Sequence, residues 1–91
     1  MPKAERTVAV GSKVGLHARP ASLFVQAASA TGHSVTVAKP NGDSADAASI
    51  LSVLALGVGN GETITLTVEG DNAESVADEL EAMLASDLDA D

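Results

Sequence analysis

The chain has 91 residues, of which 45% are apolar, one is aromatic (Phe24) and none is cysteine, with a formal net charge of −8. This length suits one domain, residues 1–91, that buries about 60 to 65% of its unfolded surface, and the lack of cysteine excludes a disulfide framework and a thiolate metal site, as suits the cytoplasm. An acidic chain with one aromatic is poorly equipped for nucleic acid, which is gripped by Lys and Arg in number and stacked on aromatic rings.

From residue 4 to 10, Val8 and Val10 alternate with Thr7 and Ala9, which predicts a first strand. Gly11 to Gly15 reads as a loop. Leu23, Phe24, Ala27 and Ala28 then recur at helical spacing, so a helix is expected from about His17 to Ala30, with Gly32 as its left-handed stop. His33 to Ala38 alternates again, and Lys39-Pro40-Asn41-Gly42 turns the chain into a weak partner strand over about 43–47. His33 is taken as an ordinary surface residue. The apolar run 48–56 ends at Gly57 and reads as a short helix capped by Asp46 or Ala47. Thr63 to Val68 alternates most cleanly, with Ile64, Leu66 and Val68 on one face and three threonines on the other. A capping box from Asp71 to Glu74 opens a last helix with the stripe Ala73, Val76, Ala77, Leu80, Met83 and Leu84. Glu74, Asp78, Glu79 and Glu81 form its wet face, and residues 85–91 are expected to fray. No stretch approaches a membrane span and the N-terminus lacks a signal-peptide core, so a soluble, unprocessed chain is expected. The order βαββαβα, with one apolar sheet face and amphipathic helices, predicts a two-layer α+β fold.

Charge is unevenly divided along this order. Residues 1–42 set Lys3, Arg6, Lys13, Arg19 and Lys39 against Glu5, a net of +4, whereas residues 43–91 carry twelve acids and no base, a net of −12. An anion is therefore steered towards the N-terminal half. That half holds the densest run of chemistry-bearing residues, Gly15-Leu16-His17-Ala18-Arg19-Pro20-Ala21-Ser22. Here a histidine and an arginine two residues apart meet the start of a helix. The first N–H groups of a helix lack intrahelical partners and carry the positive end of its dipole, which suits phosphate. The same positive end disfavours an imidazolium and keeps His17 neutral, the nucleophilic form. Arg19 would then hold two phosphoryl oxygens with one guanidinium, and Pro20 sacrifices no hydrogen bond in the first turn. A cap histidine without chemistry is the bland alternative. Metal binding is unattractive, because His33 is the one other histidine and no carboxylate lies near His17 in sequence.

The run Gly15-Leu16-His17-Ala18-Arg19-Pro20-Ala21 resembles the active-site signature of the HPr family, the histidine-containing phosphocarriers of the bacterial phosphoenolpyruvate-dependent sugar phosphotransferase system. The similarity extends along almost the whole chain, including Ala48-Ser49-Ile50-Leu51. It implies an open-faced β-sandwich, an antiparallel sheet in the order 1-4-2-3 with three helices on one side. It also implies a monomeric carrier, not an enzyme, that uses no cofactor and no metal. Enzyme I would phosphorylate His17 on its δ1 (pros) nitrogen, Arg19 and the backbone of Ala18 and Arg19 would hold the phosphate, and enzyme IIA domains would receive it for sugar uptake. Ser49 matches a serine that a regulatory kinase phosphorylates in some bacteria, against a structural role at the first turn of the short helix. Ala48 stands where many members have Lys.

Ile50, Leu51 and Leu54 are core residues by default, but so short a helix cannot turn all three inward. The resemblance implies a docking surface of Ala18, Arg19, Ser22, Leu23, Gln26, Ile50, Leu51 and Leu54. Many relatives place lysines where this chain has Gln26 and Ser29, so attraction to acidic partners is weakened. Competing readings are a scaffold acting by binding alone, a hydrolase using His17 as a base, and a carrier of a nitrogen-regulatory or glycerone-kinase branch. No nucleophile and orienting acid accompany His17 to support the hydrolase.

Overall fold

A computed structural model describes residues 2–11, 15 and 18–86. Its elements are β1 (Lys3–Ala9), α1 (Ala18–Ala30), β2 (Ser34–Ala38), β3 (Ser44–Asp46), α2 (Ile50–Ala55), β4 (Thr63–Glu69) and α3 (Ala73–Ala85). The four strands form one sheet in the order β1-β4-β2-β3, with every neighbouring pair antiparallel. This is the α+β sandwich that the resemblance implied.

The alternation in β4 decides the architecture. Ile64, Leu66 and Val68 are fully buried while Thr63, Thr65, Thr67 and Glu69 point to the other face. Opposite them in register stand Val8 and Ala4 of β1 on one side and Val37 and Val35 of β2 on the other, all buried. Against this apolar sheet face, α1 brings Ala21, Phe24 and Ala28, α2 brings Val53, and α3 brings Ala73, Ala77, Leu80 and Leu84. With Phe24 the sole aromatic and wholly buried, the core is built from Val, Leu, Ile and Ala. Arg6 also faces the helical side, where its guanidinium donates to Asp78 Oδ1 of α3 at 3.2 Å and lies 3.9 Å from Glu81. Glu81 is accordingly half-buried and not on the wet face.

Two helix starts differ from the expected ones. Before α2, the Ala47 N–H still donates to Val35 O of β2 at 2.9 Å, so the chain has not yet left the sheet. Asp46 Oδ1 closes a local turn by accepting from the Ala48 N–H at 2.8 Å, and Ser49, not Asp46 or Ala47, is the N-cap. Before α3, the turn from Gly70 runs one residue further than a capping box on Asp71 allows. Asn72 is the N-cap and makes no side-chain cap bond.

The Asn72 N–H is held instead by His33, which corrects its reading as an ordinary surface residue. His33 is half-buried, and Nε2 accepts from the Asn72 N–H at 3.2 Å while Nδ1 stands 2.8 Å from the Thr31 carbonyl oxygen. A carbonyl cannot donate, so the proton must sit on Nδ1. The imidazole thereby ties the α1–β2 connection to the start of α3.

Gly15 is buried at φ +74°, and a Cβ built there would stand 2.3 Å from the carbonyl oxygen of Val58. Gly32 has a similar φ of +72° but open space around it. Gly15→Ala should therefore cost about 3 kcal/mol by combining left-handed strain with overpacking, whereas Gly32→Ala should cost about 1 kcal/mol from strain alone. Urea denaturation of the two variants checks the difference. In long-range ¹H–¹⁵N spectra at neutral pH, His33 is expected to show the Nδ1–H tautomer.

Candidate functional site

The Gly15–Ser22 run leads into α1. His17 and Leu16 lie outside the described residues, as does Lys13, so the placement of His17 at the cap and its protonation stay expectations. The chain on either side of them is described. Gly15 is pressed against the Val58–Gly59 backbone, and α1 begins at Ala18, the residue after His17. Arg19 is helical although a proline follows it. Proline in a first turn displaces no intrahelical donor, and the carbonyl its ring would strike lies before the helix.

Ala18 and Arg19 are both exposed, whereas Pro20 and Ala21 are buried and anchor the first turn on the core. One turn further, Ser22 and Leu23 are half-buried and Gln26 is exposed, its amide donating to Ser22 Oγ at 3.1 Å. Within α1 the sole charge is Arg19.

Packed against α1 is α2, six residues long and without a charge. Of its residues only Val53 is buried. Ile50 and Leu54 are half-buried against the core, and Leu51 is 77% exposed, the one large exposed hydrophobic among the described residues. At about 100° per residue Val53, Ile50 and Leu54 share one stripe turned to the core, and Leu51 falls beyond its edge, which leaves it in solvent.

Polar contacts hold α2 at both ends. Ser49 has extended backbone geometry and its Oγ accepts from the Ser52 N–H at 3.3 Å. At the far end, Lys39 Nζ donates to the Leu56 carbonyl at 3.1 Å and lies 3.6 Å from Glu62 Oε2. A cation there meets the negative end of the helix dipole. Neither contact of Lys39 was legible in the sequence, where it read as part of a turn.

Among the described residues, no three His, Cys, Asp or Glu side chains stand together as a metal site, and no helix is long and apolar enough to cross a membrane.

Fold and surface together define a small α+β sandwich that presents a cationic first turn and a neutral, apolar second helix. A family model described as the PTS HPr component phosphorylation site matches residues 4–86. The chain is 50% identical over 86 residues to the phosphocarrier protein HPr of Streptomyces coelicolor, covering 94% of this chain and 92% of that protein. To the HPr of Haloferax volcanii it is 46% identical over 83 residues, covering 90% and 93%. Among solved structures, HPr-C-His from Thermoanaerobacter tengcongensis superposes with a TM-score of 0.87 at 38% identity, covering 97% of this chain and 98% of that one. The chain belongs to the HPr family of phosphocarrier proteins of the phosphotransferase system.

Ser49 has a structural role as the N-cap of α2. Ser49→Ala should lower stability by about 1 kcal/mol, while Ser49→Asp, which also caps, should cost a few tenths at most. Chemical denaturation monitored by circular dichroism checks both.

Proposed function

We propose that this chain carries phosphoryl groups on His17, taking them from phosphorylated enzyme I and passing them to enzyme IIA domains for carbohydrate uptake. The observation that carries this reading is the Gly15–Ala21 run, standing where α1 begins, inside a family match described as a phosphorylation site. Arg19, exposed in the first turn, supplies the cation for the transferred group.

The transfer is an in-line exchange of one P–N bond for another. The neutral δ1 nitrogen of His17 attacks phosphorus with its lone pair, and the donor imidazole leaves with the electrons of the bond that breaks. Charge on the equatorial oxygens is met by the Arg19 guanidinium and by the positive end of α1. This stabilisation has to stay modest, since the group must leave again for a IIA histidine. A carrier has to meet two partners in turn, and the exposed Ala18 and Arg19 leave the first turn of α1 open to both.

Ser49 belongs to this proposal only as a possible modification position. A phosphate there would add about −1.5 to −2 charges next to Ile50 and Leu51 and oppose docking of an apolar or acidic partner.

Incubation with phosphoenolpyruvate, magnesium and the enzyme I of Streptomyces coelicolor tests the proposal. The expected result is an acid-labile gain of one phosphate by intact mass and a pros-phosphohistidine signal in the phosphorus NMR spectrum, both absent from His17→Ala. Arg19→Ala should lower kcat/KM by about tenfold to a hundredfold. A wild-type chain that stays unphosphorylated beside a competent control HPr would refute the carrier role.

A further inference from the structure

The connection from α2 to β4, Gly57-Val58-Gly59-Asn60-Gly61, has three glycines in five residues and by composition would be loose. It is held instead. Val58 is buried in the core, the Gly61 N–H donates to Val10 O at 2.9 Å, and the Val10 N–H donates to Glu62 O at 3.0 Å. Lys39 joins the two ends of the loop, with Nζ donating to Leu56 O at 3.1 Å and lying 3.6 Å from Glu62 Oε2. The lysine is itself fixed. Its N–H donates to Asp43 O at 2.7 Å and its carbonyl accepts from the Gly42 N–H at 3.0 Å, at the root of the β2–β3 hairpin, and its side chain is 20% exposed.

What this loop supports is Gly15. A Cβ there would stand 2.6 Å from Gly59 Cα as well as 2.3 Å from Val58 O, so the two backbones are in direct contact. A shift of residues 58–59 therefore moves Gly15, and His17 follows two residues later in the chain. We infer that Lys39 is a positioning residue for phosphoryl transfer, acting through the 56–62 loop on Gly15 and thereby on the presentation of His17. This rests on the carrier role proposed above and deepens it by adding a residue that lies outside the motif. Lys39 acts without touching the phosphoryl group. In-line attack is sensitive to displacements of about 1 Å, so a tether away from the reacting atoms is read in kcat.

Lys39→Met, which keeps the aliphatic stem and removes both polar contacts, is compared with Asp78→Ala, which breaks the Arg6 pair between β1 and α3. With phosphoenolpyruvate, magnesium and the Streptomyces coelicolor enzyme I, Lys39→Met should lower kcat by about tenfold while KM stays within about twofold. Lys39→Arg should restore kcat to within about twofold, because a guanidinium can serve the carbonyl and the carboxylate together. Asp78→Ala should keep the wild-type kcat and KM. In ¹H–¹⁵N spectra the Gly15 and Gly59 amide signals should shift in Lys39→Met and stay in place in Asp78→Ala. An unchanged kcat in Lys39→Met, a loss confined to KM, no recovery in Lys39→Arg, an equal fall of kcat in Asp78→Ala, or an unmoved Gly15 signal would each overturn the inference. A wild-type chain that takes no phosphate overturns the carrier role and this inference with it. The Gly15 shift, which needs no phosphate, tells that failure apart from a loop that Lys39 does not hold.

Discussion

The apolar face of β4 is the constraint on which the remaining elements depend. Ile64, Leu66 and Val68 are flanked by β1 and β2 and covered by the helices, so burial of one short alternating segment fixes the sheet order and the helical layer together. A slip of one residue would turn three threonines inward and three large apolar side chains out. The strand that organises the sheet is the last strand in sequence, so the contacts that secure β1 span about two-thirds of the chain. Such long-range pairing makes the fold cooperative and slow to nucleate compared with a helical bundle.

The proposed site belongs to the helical side of that sheet, since the motif runs into α1. The buried anchors Pro20 and Ala21 fix the start of α1, and Gly15 fixes the backbone before it. Between these two fixed points lies the histidine of the motif. The bases of the chain gather in the half that carries it, and the acids gather in the other, which leaves α1 and α2 as a nearly neutral strip on an acidic molecule.

Much of the fold was legible in the sequence because it is written in local periodicity. Period-2 alternation located β1, β2 and β4, helical spacing located α1 and α3, and Lys39-Pro40-Asn41-Gly42 located the hairpin turn. That some of Ile50, Leu51 and Leu54 would be exposed was expected, but the sequence pattern did not single out Leu51. The strand order came from the family resemblance and not from the pattern. What stayed illegible was set by contacts between distant residues. Ser49 caps α2 because Val35 still holds Ala47, and Asn72 starts α3 without a side-chain cap while its amide is held by a histidine 39 positions away. Val35 lies in β2 and Ala47 just past β3, and His33 and Asn72 lie 39 positions apart, so the periodicity of a single element reveals neither contact. Lys39 at the end of α2 is a third case, since its partner carbonyl lies 17 residues on.

The shortness of α2 has a consequence for motion. This helix of six residues fully buries only Val53, packs Ile50 and Leu54 partly against the core and is tied by one hydroxyl cap and one lysine. It is attached less firmly than α1 or α3, which bury four residues each. Its opening need not disturb the sheet, whose buried face is secured by the longer helices. The apolar surface around Leu51 is thus carried on the shortest of the three helices, the one whose local opening disturbs the core least.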